Sequence, residues 1–355
     1  MSETREAHLK QLGEPYVKLT AEDGGTLLVL VRGGRVHDMT VPGGLAGTSF
    51  WTNPPALVAG GWNTGGDRTW VSPEIEYFTD SAGNYEIPPQ LDPGHWTLIA
   101  SSGSEAVVRT TCELARRSSP AAPIRLDLEK RFATLPNPLL MNTSLAARDW
   151  AGIRYVGYEV STSLELEPAA QDGSPEGVPS GYCSLWSIMQ VPSGGVALVP
   201  TRGHVKPLTM FAQREPSDIA TTASGVRIPC GGSYSYKLSF DAIASTGRYG
   251  YIRELGATES SLMVRQFRVN PAGVYPDYPP DRPDYMGSCM QIYNDGGHMG
   301  GFAELEYQSP ALAIGNPGRT TDESQVFHFT GPTEKIREIA AILLGMDDVS
   351  QDLVS

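Results

Sequence analysis

The sequence predicts an all-β chain folded as a very large antiparallel sandwich, and three observations carry that expectation. Short runs of apolar and β-branched residues recur along most of the chain, several of them alternating with charged residues at the two-residue period of a half-buried strand. The composition includes 39 glycines and 28 prolines, enough turn-forming residues to punctuate many strands. One segment alone, 333–344, reads as a clear helix, with Ile336, Ile339, Ala340, Leu343 and Leu344 at helical spacing behind a Pro-Thr start.

Taken in order, residues 5–12 form a short helix before the run Thr26 to Arg32, a buried strand bounded by glycines. Gly33-Gly34 turns the chain into 35–41, so a hairpin opens the fold. Strands follow at 95–100, 106–114 and 124–132, the last with Ile124, Leu126 and Leu128 facing inward and Arg125, Asp127 and Glu129 facing water. Further strands are expected at 154–166, 184–191, 195–199, 235–240, 261–269, 288–293, 302–307 and 325–329. Two segments break the pattern: 167–180, rich in Pro, Gly, Ser and acidic residues, and 270–285, with five prolines and three tyrosines. Both read as long surface loops rimming an opening. More than a dozen strands without alternating helices make one large sandwich, or two packed ones, and a single domain over 1–355 is expected, its core at about 25–330 and its helix at 333–345.

Composition narrows the function. The formal net charge of −13, with no Lys/Arg block, repels phosphate backbones and anionic membranes, so nucleic acid and membrane are not expected partners. Cys112, Cys183, Cys230 and Cys289 show no CxxC spacing and read as reduced structural thiols. No apolar run approaches the roughly 20 residues of a membrane span, and the first residues lack an apolar signal core, so the chain reads as cytoplasmic. Pro192-Ser193-Gly194-Gly195 and Gly231-Gly232 precede no helix and read as hairpin turns rather than phosphate loops. No cofactor is expected.

The chemistry concentrates in Gly65-Gly66-Asp67-Arg68-Thr69-Trp70-Val71-Ser72-Pro73-Glu74, read as one wall of a binding cleft. Around it, Phe50, Trp51, Trp62, Trp70 and Tyr77 interleave with Asn53, Asn63, Asp67 and Arg68. Aromatic rings beside hydrogen-bonding groups suit a pyranose, which offers an apolar C–H face for stacking and hydroxyls for hydrogen bonds; rings that only fill a core are the competing reading. A second stretch, Glu304-Leu305-Glu306-Tyr307-Gln308-Ser309-Pro310, has the same style. Glu304 and Glu306 share one strand face, and if that face is covered at least one needs a partner, Arg68 first.

Together the 65–74 stretch, Leu185-Trp186-Ser187-Ile188-Met189-Gln190-Val191-Pro192, Tyr293-Asn294-Asp295 and Glu304 to Gln308 resemble bacterial proteins related to the galactose mutarotase-like superfamily, over about residues 30–330. The resemblance implies a β-supersandwich binding a mono- or oligosaccharide on its concave face, with aldose 1-epimerase-like acid/base chemistry, or else a glycoside hydrolase, a polysaccharide lyase or a non-catalytic carbohydrate-binding protein. It implies substrate-binding roles for Asp67, Arg68, Trp70, Glu74, Trp186, Gln190, Tyr293 and Gln308, and makes Glu323 the counterpart of the epimerase base. The chain departs from the epimerases at 185–188, which carries no histidine where one is expected. Mutarotation needs a base for the anomeric hydroxyl and an acid for the ring oxygen. The candidates are Glu323, Glu304 and Glu306, with His298, His204 or another carboxyl as the acid; hydrolysis would instead need two carboxyls across the bond, drawn from Asp67, Glu74, Glu76, Glu304, Glu306 and Glu323. Asp295, His298 and Glu304 lie within ten residues, but their spacing matches no metal signature and a turn explains Asn294-Asp295-Gly296-Gly297, so no metal is expected.

Overall fold

A computed structural model describes residues 4–44, 47–118, 123–168, 181–214, 216, 218–279, 281–282, 284–285, 287–314, 318–346 and 349. Two ten-stranded sheets carry the chain, and every pairing between their strands is antiparallel. The first sheet begins with Tyr16–Thr20, Thr26–Leu30, Arg35–Thr40 and Asp67–Ser72. It continues through Tyr182–Pro192, Phe302–Gln308, Ser288–Asn294, Tyr236–Asp241 and Leu208–Ala212, with Leu312–Ala313 paired to one end of Tyr182–Pro192. The second runs Ala220–Thr221, Gly225–Cys230, Gly195–Pro200, Arg248–Glu254, Glu259–Phe267, Gly318–Pro332, Arg154–Pro168, Ile124–Thr134, Glu105–Leu114 and Thr97–Ser101. Only Tyr182–Pro192 separates Asp67–Ser72 from Phe302–Gln308, so the two stretches singled out by their composition meet at the middle of one sheet.

A continuous apolar core fills the space between the sheets, with Leu27, Val36, Leu185, Ile292 and Leu305 from the first facing Leu126, Leu128, Val160 and Val326 from the second. The helix Thr333–Leu344 covers the outer face of the second sheet, laying Ile336, Ile339, Ala340 and Leu344 on Val196, Leu198, Leu262, Val264 and Phe329. Gly250 makes that contact possible: a Cβ there would stand 2.7 Å from Leu344 Cδ1. The helix Arg5–Leu12 is tied by Leu9 to Leu28, Leu30 and Leu57 on the outer face of the first sheet.

The hairpin of the first forty residues, both helices and the strands through the middle of the chain form where the periodicity places them. Tyr16–Thr20, Asp67–Ser72, Leu208–Ala212, Ala220–Thr221, Gly225–Cys230, Arg248–Glu254 and Leu312–Ala313 are additional strands. Pro229, Gly250 and terminal charges hide two of them from a reading based on apolar runs. The loop expected at 167–180 lies outside the described residues from 169 onward.

Asp67 departs from its expected role. Neighbours on a strand face opposite ways, so Asp67 turns into the sandwich while Arg68 turns out. Asp67 accepts from Arg265 of the second sheet, at 2.9 Å for one of the two hydrogen bonds, and from the Tyr158 hydroxyl. It is a buried brace between the sheets, not a substrate ligand. Removing one member of a buried pair strands the other charge, at a cost of about 3–5 kcal/mol. Asp67→Asn is therefore expected to lower unfolding free energy in urea by that order; a loss under 1 kcal/mol would show that Arg265 is compensated otherwise.

Candidate functional site

Gly65 and Gly66, at φ 90° and 86°, bring the chain into the Asp67–Ser72 strand so closely that a Cβ would lie 2.2 Å from the Trp51 carbonyl oxygen or 2.4 Å from that of Val36. From there the antiparallel register sets side chains in rows across the outward face of the first sheet. One row is Arg68, Ile188, Glu306, Gln291 and Ser239; the next is Gln190, Glu304, Tyr293, Lys237 and Phe211. Over these rows stand Trp62, Glu74, Tyr85, Ile87 and Met299, enclosing a cavity of about 560 Å³.

Two ion-pair groups form its floor. Arg68 donates to Glu304 Oε1 at 2.8 Å, and Gln190 Nε2 donates to the same oxygen at 3.0 Å. The guanidinium lies 4.2 Å from the Trp70 ring centre and 5.5 Å from that of Trp62. Arg68 is buried, yet its Nε and Nη1 have no hydrogen-bond partner among the described residues. Lys237 Nζ sits 2.8 Å from Glu74 and 3.1 Å from Glu306, and 4.5 Å from the centre of the Trp186 ring. Trp186 Nε1 donates to Glu306 at 2.7 Å, and the Tyr85 hydroxyl donates to Glu74 at 2.9 Å. Behind this wall, Asp277 accepts from the Glu74 backbone N–H, Gln291 and Gln308 at 3.0, 2.6 and 3.2 Å. The segment 270–285 thus reaches the cavity wall from behind through Asp277, and none of its described residues lines the cavity.

Four carboxyls, of Glu74, Asp277, Glu304 and Glu306, surround two cations, and this surplus governs protonation. Burial drives Glu306 up to about 8 against the pull of Lys237, with Glu304 and Glu74 adding repulsion. Burial also raises Asp277. Burial disfavours the Lys237 ammonium, but Glu306, Glu74 and Asp277 outweigh it and hold that pKa above the ordinary lysine value.

The sequence candidates divide sharply. Arg68, Trp70, Glu74, Trp186, Tyr293 and Glu304 line one cavity, while Gln190 and Glu306 support it from directly behind. Trp70 and Trp186 are each only 2% exposed and lie against cations, so Trp62, Tyr85, Phe211 and Tyr293 are the lining rings with free surface for a ligand. Gln308 is buried against Asp277. His298 is exposed and meets Gln213 at 3.3 Å, His204 is exposed, and no histidine lines the cavity. Glu323 lies in the second sheet beside Arg268, in a different groove. The carboxylate of Asp295 is taken by the backbone N–H groups of Met299 and Gly301, leaving it a turn brace. Lys237, Tyr85, Phe211 and Asp277 were not foreseen; a lone lysine on an apolar strand, Lys237 in Tyr236–Asp241, was the one signal available.

A family model described as "Family of unknown function (DUF6786)" matches residues 4–351. The chain belongs to that family. No curated protein matches it. Among solved structures, a galactose mutarotase-like protein from Lactobacillus casei ATCC 334 superposes with a TM-score of 0.50 at 10% identity, over 88% of this chain and 100% of that one. An aldose epimerase homologue from C. elegans gives 0.40 at 8% identity, over 90% and 99%. The fold of this family member is galactose mutarotase-like. No helix among the described residues is long and apolar enough to cross a membrane.

The charge surplus has a measurable consequence. A glutamate raised from 4.5 to about 8 binds more protons in the folded state than in the unfolded state across that interval, so its contribution to stability is complete below about pH 4.5 and is lost as pH rises to 8. Wild-type stability is therefore expected to fall over this window relative to Glu306→Gln. Parallel stability–pH curves would show that Glu306 is ionised throughout.

Proposed function

We propose that the cavity binds a mono- or oligosaccharide and performs aldose-epimerase-like acid/base chemistry on it, with Glu304 as the carboxylate base. The observation that carries this reading is the Arg68 guanidinium on the cavity floor, whose buried Nε and Nη1 lack hydrogen-bond partners among the described residues, beside Glu304, with Trp62 and Tyr85 above and Phe211 along the same floor. Such donors suit hydroxyl oxygens, and the partly exposed rings suit the C–H face of a sugar. The galactose mutarotase-like fold supports a carbohydrate ligand.

In this mechanism Glu304 takes the proton of the anomeric hydroxyl. The bond from the anomeric carbon to the ring oxygen then breaks as a carbonyl forms. Lys237, held protonated by its neighbouring carboxylates, faces the same cavity and gives a proton to the ring oxygen. Rotation of the open chain and the reverse steps return the other anomer and restore both groups. Lys237 takes the place of the imidazole that the cavity lacks.

A second reading, a carbohydrate-binding protein without turnover, is favoured by one observation. The three carboxylates that line the cavity, Glu74, Glu86 and Glu304, are engaged by Lys237, Arg117 and Arg68, an arrangement that blunts a base. Anomeric proton exchange of common hexoses and oligosaccharides, followed by NMR with wild-type protein, separates the readings: accelerated exchange fits the epimerase, bond cleavage a hydrolase or lyase, and binding alone the second reading.

Two variants test the assignments. Glu304→Gln is expected to lower turnover by about a hundredfold or more while keeping sugar affinity within a few-fold; undiminished turnover would remove Glu304 as the base. Arg68→Lys keeps the charge opposite Glu304 but loses the forked donors, so affinity should fall by about tenfold with Tm nearly unchanged, a loss equivalent to one charged hydrogen bond. Equal affinity would remove Arg68 from the site.

A further inference from the structure

A second, smaller cavity of about 220 Å³ lies where the helix Arg5–Leu12 crosses the first sheet, walled by Arg5, His8, His37, Thr52, Pro54 and Leu57. It shares no lining residue with the large cavity. We propose that this cavity binds a small oxyanion, of the phosphate, sulfate or carboxylate class, between Arg5 and the imidazoles of His8 and His37.

Three observations support the assignment. His37 is 4% exposed, and its Nδ1 is buried without a hydrogen-bond partner among the described residues; His8 Nε2 is buried and unpartnered in the same way. Two unpartnered buried nitrogens on residues that wall one cavity leave hydrogen-bonding capacity that a polar ligand would meet. The two guanidinium groups nearest the cavity are each ion-paired, Arg5 with Asp38 and Arg35 with Asp92. From the helix, Arg5 faces the cavity with 18% of its side chain exposed, and from the strand Arg35–Thr40 the Arg35 guanidinium adds its field at His37.

The one carboxylate close by is already engaged. Asp38 accepts from Arg5 at 2.6 Å, from Ser49 at 3.1 Å and from Thr40 at 3.3 Å. A cation entering the cavity would therefore meet two imidazoles and positive guanidinium groups with no free carboxylate, which argues against a metal. An anion meets the opposite: the Arg5 guanidinium, two imidazoles and the Thr52 hydroxyl, with Pro54 and Leu57 limiting water. Burial, reinforced by Arg5, Arg35 and His8, pulls His37 down to about 3, so its ring is neutral when the cavity is empty, and a bound anion would favour proton uptake.

The test uses the full chain and the side-chain ¹⁵N resonances of its six histidines. Inorganic phosphate, sulfate, acetate and zinc are titrated separately at constant ionic strength. Saturable shifts of the His8 and His37 ring nitrogens with at least one of the oxyanions, reduced at least tenfold in affinity by His8→Ala, are expected, and the oxyanion that binds most tightly identifies the class. The Arg68→Lys variant should bind the oxyanion as wild type does, which keeps this outcome separate from the fate of the sugar reading. Absence of saturable shifts with all three oxyanions, or a response of these two rings to zinc alone, would overturn the proposal. The wild-type titration decides the matter even if His8→Ala does not fold.

Discussion

The pairing of Arg68 with Glu304 is the contact on which the large cavity depends. It joins strands that are 236 residues apart in the chain and separated in the sheet only by Tyr182–Pro192. One residue earlier, Asp67 reaches the other way and binds Arg265 of the second sheet. The two-residue period of a strand thus assigns adjacent charges to opposite tasks: one locks the sheets together, and the other sets the floor of a cavity. Gly65 and Gly66 put that strand into place by allowing backbones to approach more closely than any side chain would permit.

Charge inequality gives the floor its chemistry. Four carboxyls share Arg68 and Lys237, and burial makes full ionisation of all four unfavourable. The resulting protonation pattern, with Glu306 and Asp277 raised and Lys237 held charged, sets proton donors and acceptors close together in a low-dielectric wall. Rings on either side serve different ends. Trp70 and Trp186 sit under cations as buried packing, whereas Trp62, Tyr85, Phe211 and Tyr293 keep surface for a ligand.

Much of this was legible in the sequence, for definite reasons. Period-two alternation in Ile124 to Phe132 and the apolar stripe of Thr333–Leu344 are local signals, and both elements formed there. The shared face of Glu304 and Glu306 followed from their spacing, and the outward turn of Arg68 brought it to Glu304. What could not be read was non-local. Nothing in the chain near Lys237 announces that Glu74 and Glu306 converge on it, since that depends on a register between strands far apart in sequence. Glu323 shows the converse: motif order alone placed it with the site, but it sits in Gly318–Pro332 of the other sheet. Asp67 was grouped with Arg68 by adjacency, which strand geometry turns into separation.

The most direct test of the account is a crystal structure of the protein soaked with a sugar that binds in solution. The account predicts density in the large cavity, with a hydroxyl within hydrogen-bonding distance of Arg68 Nε or Nη1 and the ring against Trp62, Tyr85 or Phe211. A sugar bound elsewhere, with Arg68 untouched, would contradict it.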